Sequence, residues 1–400
     1  MNIKFNTHPV LFALMLSAFS ALGPFTVDMY LSSLPQMTDY YDTSASMIQT
    51  SLTASLLGLG LGQLVTGPLS DVHGRRKPLL VFMMLYLLTS LACAFSPSIG
   101  IFIVLRFIQG FVASAGIVIS RAIVRDRYSG VEMVKFMSLL TMISNIAPLI
   151  SPTVGSAVTT YTSWVGVFIF LGFIGLLITG MTFWGIKESL PLEQRLPGNF
   201  KEVLRNYGSL LRDRSFMGYA LVNGILFSGV FAYVAGTPFI YQNMYGISPQ
   251  LFSILFALNG LAIILGSQFV KRSAGRVDER FIFRIGLKLA LITTAGILIV
   301  VLAKGPFIIL FISIFLFASS IGIIGPVSFT LAMSSQGHIA GSAAAVLGSL
   351  QYALGAISSP LVGIAGEHSA VPFGVTIFMS SILAVICYVI FVKRTDSAAQ

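Results

Sequence analysis

One carboxylate of this sequence falls inside a long apolar segment. Asp28, in GPFTVDMYLSSLP, is the only one of 14 Asp and Glu residues that does so, about a turn and a half before the predicted end of its segment. A cation, Arg106, falls inside another apolar segment, in LRFIQG. Ionisable groups are costly in a bilayer core, and a carboxylate there is suited to carrying a proton. We interpret the two as a proton-coupling pair. The alternative is that Asp28 reaches outer water and Arg106 only binds helix carbonyls.

The composition is that of a membrane protein with many spans. Hydrophobic residues make up 56% of the chain, charged residues 10%, and the mean hydropathy is +0.89. A soluble domain carries about 25% charged residues. All of the 24 Lys and Arg residues except Arg106 and Lys304 lie in segments that alternate to one side of the predicted spans. This positive-inside pattern places both termini in the cytoplasm and explains the net charge of +10 without a nucleic-acid partner.

Twelve apolar segments are long enough to cross a hydrocarbon core of ~30 Å as helices. We expect an all-α membrane protein with twelve transmembrane helices, inserted in the cell (inner) membrane. The predicted spans are 9–33, 48–68, 78–96, 99–123, 134–158, 164–186, 215–240, 249–270, 281–303, 306–332, 340–365 and 371–392.

The spans divide into two halves of six. We predict an N-terminal half over 1–186, a cytoplasmic linker over 187–214 and a C-terminal half over 215–400. Apolar residues of the linker recur at helical spacing from residue 200 to 211, which indicates an amphipathic helix on the inner membrane surface. Gly74-Arg75 recurs as Gly275-Arg276 between the second and third spans of its half, consistent with a degenerate duplication.

The connection between the second and third spans carries an unusually dense motif, GPLSDVHGRRKPLL. It resembles the loop signature of the major facilitator superfamily, G-x-L-x-D-x-x-G-R-[RK]. The resemblance implies two pseudo-symmetric six-helix halves around a midplane site and a cytoplasmic gate. The alternative is an ordinary positive-inside loop. The gate residues implied are Gly67, Asp71, Gly74, Arg75 and Arg76.

Two further motifs resemble known ones, the first of the bicyclomycin/chloramphenicol resistance (Bcr/CflA) branch and the second of the superfamily as a whole. Asp28-Met29-Tyr30-Leu31 with Pro35 looks like its first-span signature, with Ser32 in place of a proline. Leu105-Arg106-x-x-Gln109-Gly110 matches the fourth-span motif, whose arginine is implicated in proton transfer. In this superfamily the first and fourth spans line the central cavity, so the resemblance implies that Asp28 and Arg106 can face each other.

The fifth span resembles the antiporter signature G-x-x-x-G-P-x-x-G-G, with three glycines replaced by Ala or Ser. Small residues on one face allow close helix packing, and proline bends the span. Packing without a coupling role is the alternative. The motif positions are Ala147, Pro148, Ser151, Pro152 and Gly155.

Polar and aromatic residues in the spans expected to face the centre predict a large, mostly apolar cavity. Such a lining favours varied apolar compounds over sugars or phosphates. Each of these residues could instead serve in packing. The predicted lining is Tyr30, Asn145, Asn223, Phe227, Phe231, Tyr233, Asn259, Phe329, Gln351 and Tyr352.

Three functions remain open from the sequence. The first is proton-driven efflux of small drugs such as chloramphenicol- or bicyclomycin-like compounds by alternating-access antiport. The second is proton-coupled export of a normal metabolite such as an amino acid, and the third is a membrane receptor without transport. We do not expect an enzyme, because no nucleotide-binding G-x-x-x-x-G-K-[ST] loop occurs. We expect no cofactor or metal, and a monomer whose partners are drugs, protons and the bilayer.

Overall fold

The chain folds almost entirely into long helices. The computed structural model describes residues 9–195, 200–273, 275–334, 336, 340–366 and 369–393. These ranges contain 11 apolar helical segments long enough to cross a membrane, and no strand. A further helix, Ala340–Leu361, lies where the sequence predicts the eleventh span. The prediction of an all-α protein with twelve transmembrane helices is therefore confirmed.

The first six spans comprise seven helices, because the first span is made of two helices. A 3₁₀ turn over Leu31–Ser33 separates those two. The helices are α1 Pro9–Asp28, α2 Leu34–Tyr41, α3 Ala45–His73, α4 Arg76–Ala94, α5 Ile99–Arg127, α6 Gly130–Tyr161 and α7 Trp164–Gly185.

The remaining helices begin with a short one in the predicted linker. Two of the later spans end in π-helical turns, at Ile240–Met244 and Tyr388–Lys393. The helices are α8 Phe200–Arg212, α9 Arg214–Phe239, α10 Pro249–Ser273, α11 Glu279–Leu302, α12 Phe307–Met333, α13 Ala340–Leu361 and α14 Val371–Cys387.

Polar residues in the connections set where several spans begin. The carboxylate of Asp213 accepts the N–H groups of Ser215 and Phe216 at 2.9 and 3.1 Å, and so caps α9. Ser163 accepts the N–H of Val165 at the start of α7 in the same way. These side chains satisfy N–H groups that have no partner within the helix.

The helices cluster into two units. The first holds the chain up to Met37 together with Ala54–Lys201, and the second holds Thr38–Thr53 together with the chain from Glu202 onward. In the first unit α1 packs on α5 and α6, and α4 packs on α5 and α7. In the second unit α9 packs on α12, α13 and α14, and α12 packs on α10 and α11.

Glycine permits close helix approach at equivalent places in the two units. A Cβ atom on Gly110 of α5 would overlap the carbonyl oxygen of Ser55 on α3. A Cβ atom on Gly322 of α12 would overlap the carbonyl oxygen of Ile263 on α10. In both cases the second and fourth spans of a half meet backbone to backbone, as expected for two pseudo-symmetric halves.

The start of α3, which belongs to the second unit, bonds to a carbonyl that a proline leaves unpaired in α13. Pro360 has no N–H, so the carbonyl of Ala356, four residues earlier, loses its helical donor. The hydroxyl of Thr53 donates to that carbonyl at 3.1 Å. Ser46 and Gln49 likewise donate to the carbonyls of Pro360 and Ala235, each at 3.1 Å.

We predict that Thr53→Val lowers thermal stability. Valine preserves the shape but leaves the Ala356 carbonyl without a donor, at a cost of about 1 kcal/mol. The measurement is the unfolding temperature of the purified protein in detergent. Thr50→Val is the matched control, because Thr50 donates only to Ser46 of its own helix. Equal unfolding temperatures for the two variants would contradict the assignment.

Candidate functional site

The first span is broken at Asp28. Helix α1 ends at this residue, Met29 and Tyr30 form a turn, and the span then continues to Tyr41. The whole apolar span runs Phe12–Tyr41, so Asp28 lies near its middle, and the prediction that it lies close to the outer end is wrong. The predicted span ended at residue 33, before Pro35, whereas the span continues past this proline as α2. Proline is tolerated in the first turn of a helix, and here it opens α2.

Arg106 is fully buried beside this break. Its Nη2 donates to the carbonyl of Thr26 at 2.8 Å, and its Nη1 donates to Oε1 of Gln109. Its guanidinium carbon lies 4.3 Å from the ring centroid of Tyr30 and 5.4 Å from that of Phe168. The Thr26 carbonyl lies in the last turn of α1, where carbonyls lack helical partners. Arg106 therefore binds the broken span itself.

Asp28 and Arg106 are neighbours without being an ion pair. Arg106 contacts the residues two before and two after Asp28, and the two charges are near enough to interact electrostatically. The ion pairs found among the described residues do not include Asp28. Asp28 is buried, with 7% of its surface exposed. Nε of Arg106 is buried and has no acceptor in the described part of the chain.

A polar network behind Arg106 was missed by the sequence analysis. Gln109, which accepts from Arg106, donates to the hydroxyl of Ser90 at 2.7 Å. The hydroxyl groups of Thr26 and Tyr86 are 2.8 Å apart. Tyr86 and Ser90 lie on α4, four residues apart on one helical face, and that spacing of hydroxyl groups within an apolar span was the available signal.

The small residues of the fifth span share one buried face. Ala147, Ser151 and Gly155 follow at intervals of four and are all buried. A Cβ atom on Gly155 would overlap the carbonyl oxygen of Met29, so this glycine allows α6 to touch the break next to Asp28. Pro148 and Pro152 lie inside the same helix. A role of these residues in antiport remains a prediction.

The predicted cavity residues are found in separate groups. Tyr30 stacks with Arg106 in the first unit. In the second unit the Phe231 ring lies 6.5 Å from Phe227 and 5.8 Å from Tyr352, and Asn259 donates to Tyr233 at 3.1 Å.

Among the described residues, the other predicted lining residues make no hydrogen bond or ring contact with either of these groups. Asn223 is buried, Gln351 is half-buried, and Phe329 is exposed. The side chain of Asn145 lies outside the described residues. A lining role for the whole set stays a prediction.

The charged connection after the second span is organised around a buried arginine. Arg75 has 2% of its surface exposed. Its Nε and Nη2 donate to the two carboxylate oxygens of Asp126 at 2.8 and 3.3 Å. Its Nη1 donates to Asp71 and to the hydroxyl of Ser70. These hydrogen bonds and the two carboxylates compensate for the loss of hydration of this buried charge.

Glu188, just beyond the sixth span, caps α4. Its carboxylate accepts the N–H groups of Arg75 and Arg76 at 2.8 and 3.3 Å and lies 3.6 Å from Arg195. Burial alone would raise the pKa of Glu188, but these N–H groups, that of Leu190 and the charge of Arg195 outweigh it, so the pKa lies below its ordinary value. Gly74, with φ of 84°, leaves the space that Glu188 and Arg195 fill.

The predicted gate residues differ in what they do here. Gly74, Asp71 and Arg75 belong to the paired cluster. Arg76 instead donates to the carbonyl of Phe183 at 2.8 Å. A Cβ atom on Gly67 would be in ordinary van der Waals contact with the side chain of Val118, at 3.6 Å, so this position does not require glycine for space. The gate role itself remains a prediction.

Three residues of this cluster, Asp126, Glu188 and Arg195, were not predicted. An acid beside Arg125 at the end of the fourth span was a visible signal for Asp126. The position of Glu188 depends on how the chain folds back after the sixth span, and this has no local signature.

The fold is that of a polytopic membrane transporter. It has twelve spans, a carboxylate at a break in the first span and a paired charge cluster after the second. The Major Facilitator Superfamily profile matches residues 14–360. The chain belongs to this superfamily.

Individual relatives agree with this assignment. The chain is 48% identical to the "Uncharacterized MFS-type transporter YdgK" of Bacillus subtilis, over 94% of both chains. It is 29% identical to a "Bicyclomycin resistance protein homolog" of Haemophilus influenzae, over 96% of both chains, which confirms the resemblance to the Bcr/CflA branch. A partially occluded, inward-open xylose transporter XylE of E. coli shares the fold, with a TM-score of 0.74 at 13% identity, covering 95% of this chain and 97% of that one.

We predict that Glu188→Gln destabilises the protein at neutral pH and has little effect in acid. A group whose pKa is lower in the folded state stabilises above its unfolded pKa of about 4.3, and this contribution is lost as the pH falls through the folded value. An anion at a helix N-terminus contributes about 0.3–1 kcal/mol. The measurement is the unfolding temperature of variant and parent at about pH 7 and at about pH 3, below the ordinary pKa of a glutamate.

The matched control is Glu193→Gln, because Glu193 is exposed in the same connection. It should leave the unfolding temperature unchanged at both pH values. A Glu188→Gln effect that is equally large in acid would show that the charge of Glu188 is not what stabilises α4.

Proposed function

We propose that the protein exports small, mostly apolar drugs in exchange for protons by alternating access. The observation that carries this proposal is the buried Asp28 at the break of the first span, next to an arginine that forms no ion pair with it. A carboxylate in this position can bind a proton, or, when ionised, its side chain can rotate to pair with a cation. The name of the relative from Haemophilus influenzae, a bicyclomycin resistance protein homolog, supports drugs as the substrate class.

In the proposed cycle Asp28 takes up a proton from the outer side and releases it to the inner side. Nε of Arg106 has no acceptor among the described residues, so it is available to Asp28 once the proton has left. Drug and proton then favour different states, and each shifts the population toward its own. This competition makes the exchange obligatory.

The proton gradient supplies enough free energy for resistance. One proton crossing about 100 mV and about one pH unit provides about 2.3 plus 1.4 kcal/mol. This supports a gradient of a neutral drug of several hundred-fold, at about 1.4 kcal/mol per tenfold change.

We place both termini in the cytoplasm, because the cationic connections alternate to one side of the spans. The charge cluster of Arg75, Asp71, Asp126 and Glu188 then lies at the inner surface. We propose that it sets the position of α4 relative to α3 and α5 as the inner side opens and closes. Phe227, Phe231 and Tyr352 form the aromatic group that we propose contacts apolar substrate.

Export of a normal metabolite remains the second candidate. The Bacillus subtilis relative, which is 48% identical, is named as an MFS-type transporter without reference to any drug. A drug-susceptibility panel in an efflux-deficient host, with and without a protonophore, separates the two. Protonophore-sensitive resistance to any compound of the panel supports drug export, and indifference to all of them favours a metabolite.

We predict that Asp28→Asn abolishes uphill drug export while the protein is still produced in the membrane. Asparagine keeps the size of the side chain but cannot carry a proton. The measurement is drug accumulation in energised cells that produce equal amounts of parent and variant. Asp39→Asn is a suitable control, because Asp39 lies at an exposed position of α2. Export by Asp28→Asn at the parental rate and with the parental dependence on pH would refute the proton-carrier role.

We predict that Arg106→Lys retains only part of the coupling and that Arg106→Gln retains none. Lysine keeps the charge but lacks the planar fork that binds the Thr26 carbonyl and Gln109 together. The measurement is the drug gradient reached per imposed pH gradient in proteoliposomes. Parental gradients in both variants would show that Arg106 has a packing role only.

A further inference from the structure

The outward face of α11 is apolar along most of its length but carries two cations near its start. Phe281, Lys288, Ile292 and Ile299 follow at offsets of seven, eleven and eighteen residues, so they lie on one helical stripe. Phe281, Ile292 and Ile299 are 49%, 70% and 65% exposed, and Lys288 is exposed among them. Arg284, also exposed, lies one turn before Lys288 on the edge of this stripe.

This stripe faces lipid within its own unit. The opposite face of α11 is buried and packs on α12 and α14. A face that lined a water-filled cavity would be polar, whereas the outer part of this stripe consists of exposed isoleucine side chains. Lys288 therefore lies on a surface that otherwise suits acyl chains.

Lys288 is deep for a lipid-facing cation. It lies nine residues after the first residue of α11, Glu279, which corresponds to about 13 Å along the helix axis. A lysine at this depth extends its side chain toward the interface, where the phosphate groups lie. Arg284, one turn nearer the interface, extends in the same direction.

Neither cation is paired with an acid in the part of the chain that the structure describes. No ion pair of the described residues includes Arg284 or Lys288. Nε of Arg284 donates to the carbonyl of Arg280 at 3.3 Å, and the guanidinium lies 5.8 Å from the ring of Phe281. The neighbouring acid Asp278 accepts the N–H of Arg280 at the start of the helix.

We propose that Lys288 and Arg284 bind the headgroup phosphate of an anionic phospholipid whose acyl chains lie along the isoleucine stripe of α11. With the orientation proposed above, this lipid belongs to the cytoplasmic leaflet. Two cations one turn apart complement a negative headgroup, and the apolar stripe beyond them accepts its chains. A soluble anion would meet only half of this surface. The site is separate from Asp28 and does not depend on the substrate that is exported.

The test is the retention of phosphatidylglycerol by the purified protein. The parent, Lys288→Gln, Lys288→Arg and Lys304→Gln are equilibrated with mixed phosphatidylcholine and phosphatidylglycerol, and bound lipid is counted by native mass spectrometry. Each cation near the surface is worth about fivefold in affinity for an anionic lipid. We expect Lys288→Gln to retain phosphatidylglycerol about fivefold less and Lys288→Arg to retain it as the parent does. Lys304→Gln, which removes a cation from the other end of α11, should have no effect.

Parental retention by Lys288→Gln would overturn the proposal. So would an equal loss of phosphatidylcholine and phosphatidylglycerol, because it would mean that charge is not recognised. Displacement of the bound lipid by inorganic phosphate would identify a soluble anion as the ligand and would also overturn it. Each variant must elute as a single species in size-exclusion chromatography, so that a loss of bound lipid reflects the site and not misfolding of the variant.

Discussion

The bond between Arg106 and the Thr26 carbonyl is the interaction on which the candidate site depends. Hydrocarbon offers no water, so backbone groups exposed by a broken helix must find partners inside the protein. The end of α1 at Asp28 leaves the Thr26 carbonyl without a helical donor, and the buried arginine supplies one. The break in turn gives the arginine an acceptor that an unbroken helix would not offer. The arginine and the broken helix therefore satisfy each other's hydrogen-bonding groups within an apolar core.

The rest of the first unit holds this pair in place. Gln109 fixes one end of the guanidinium and is itself held by Ser90. Gly155 allows the fifth span to pack directly on the Met29 carbonyl. The site is thus built on backbone carbonyls at a break, where Arg106 binds one carbonyl and Gly155 makes room for another. In the sequence Asp28 lies between the Thr26 and Met29 carbonyls, and it is left out of every ion pair found among the described residues.

Much of this could be predicted from the sequence, for a physical reason. The number of spans follows from hydropathy. The charge asymmetry and the loop motif are likewise patterns that can be read locally. Asp28 and Arg106 were found because any charge in an apolar run is costly. The break after Asp28 was missed, because the residues that form it, Met29 and Tyr30, are not helix-breaking types. Glu188 was missed because it reaches Arg75 across 113 residues of chain, and no local pattern encodes such a contact.

The central claim is that drug and proton compete for Asp28, and proton release on drug binding tests it most directly. Purified protein in weakly buffered detergent solution is mixed with chloramphenicol while a pH indicator records released protons and labelled drug measures binding. The account predicts proton release in proportion to bound drug for the parent, and none for Asp28→Asn. Drug binding by the parent without proton release, or equal release by Asp28→Asn, would contradict it.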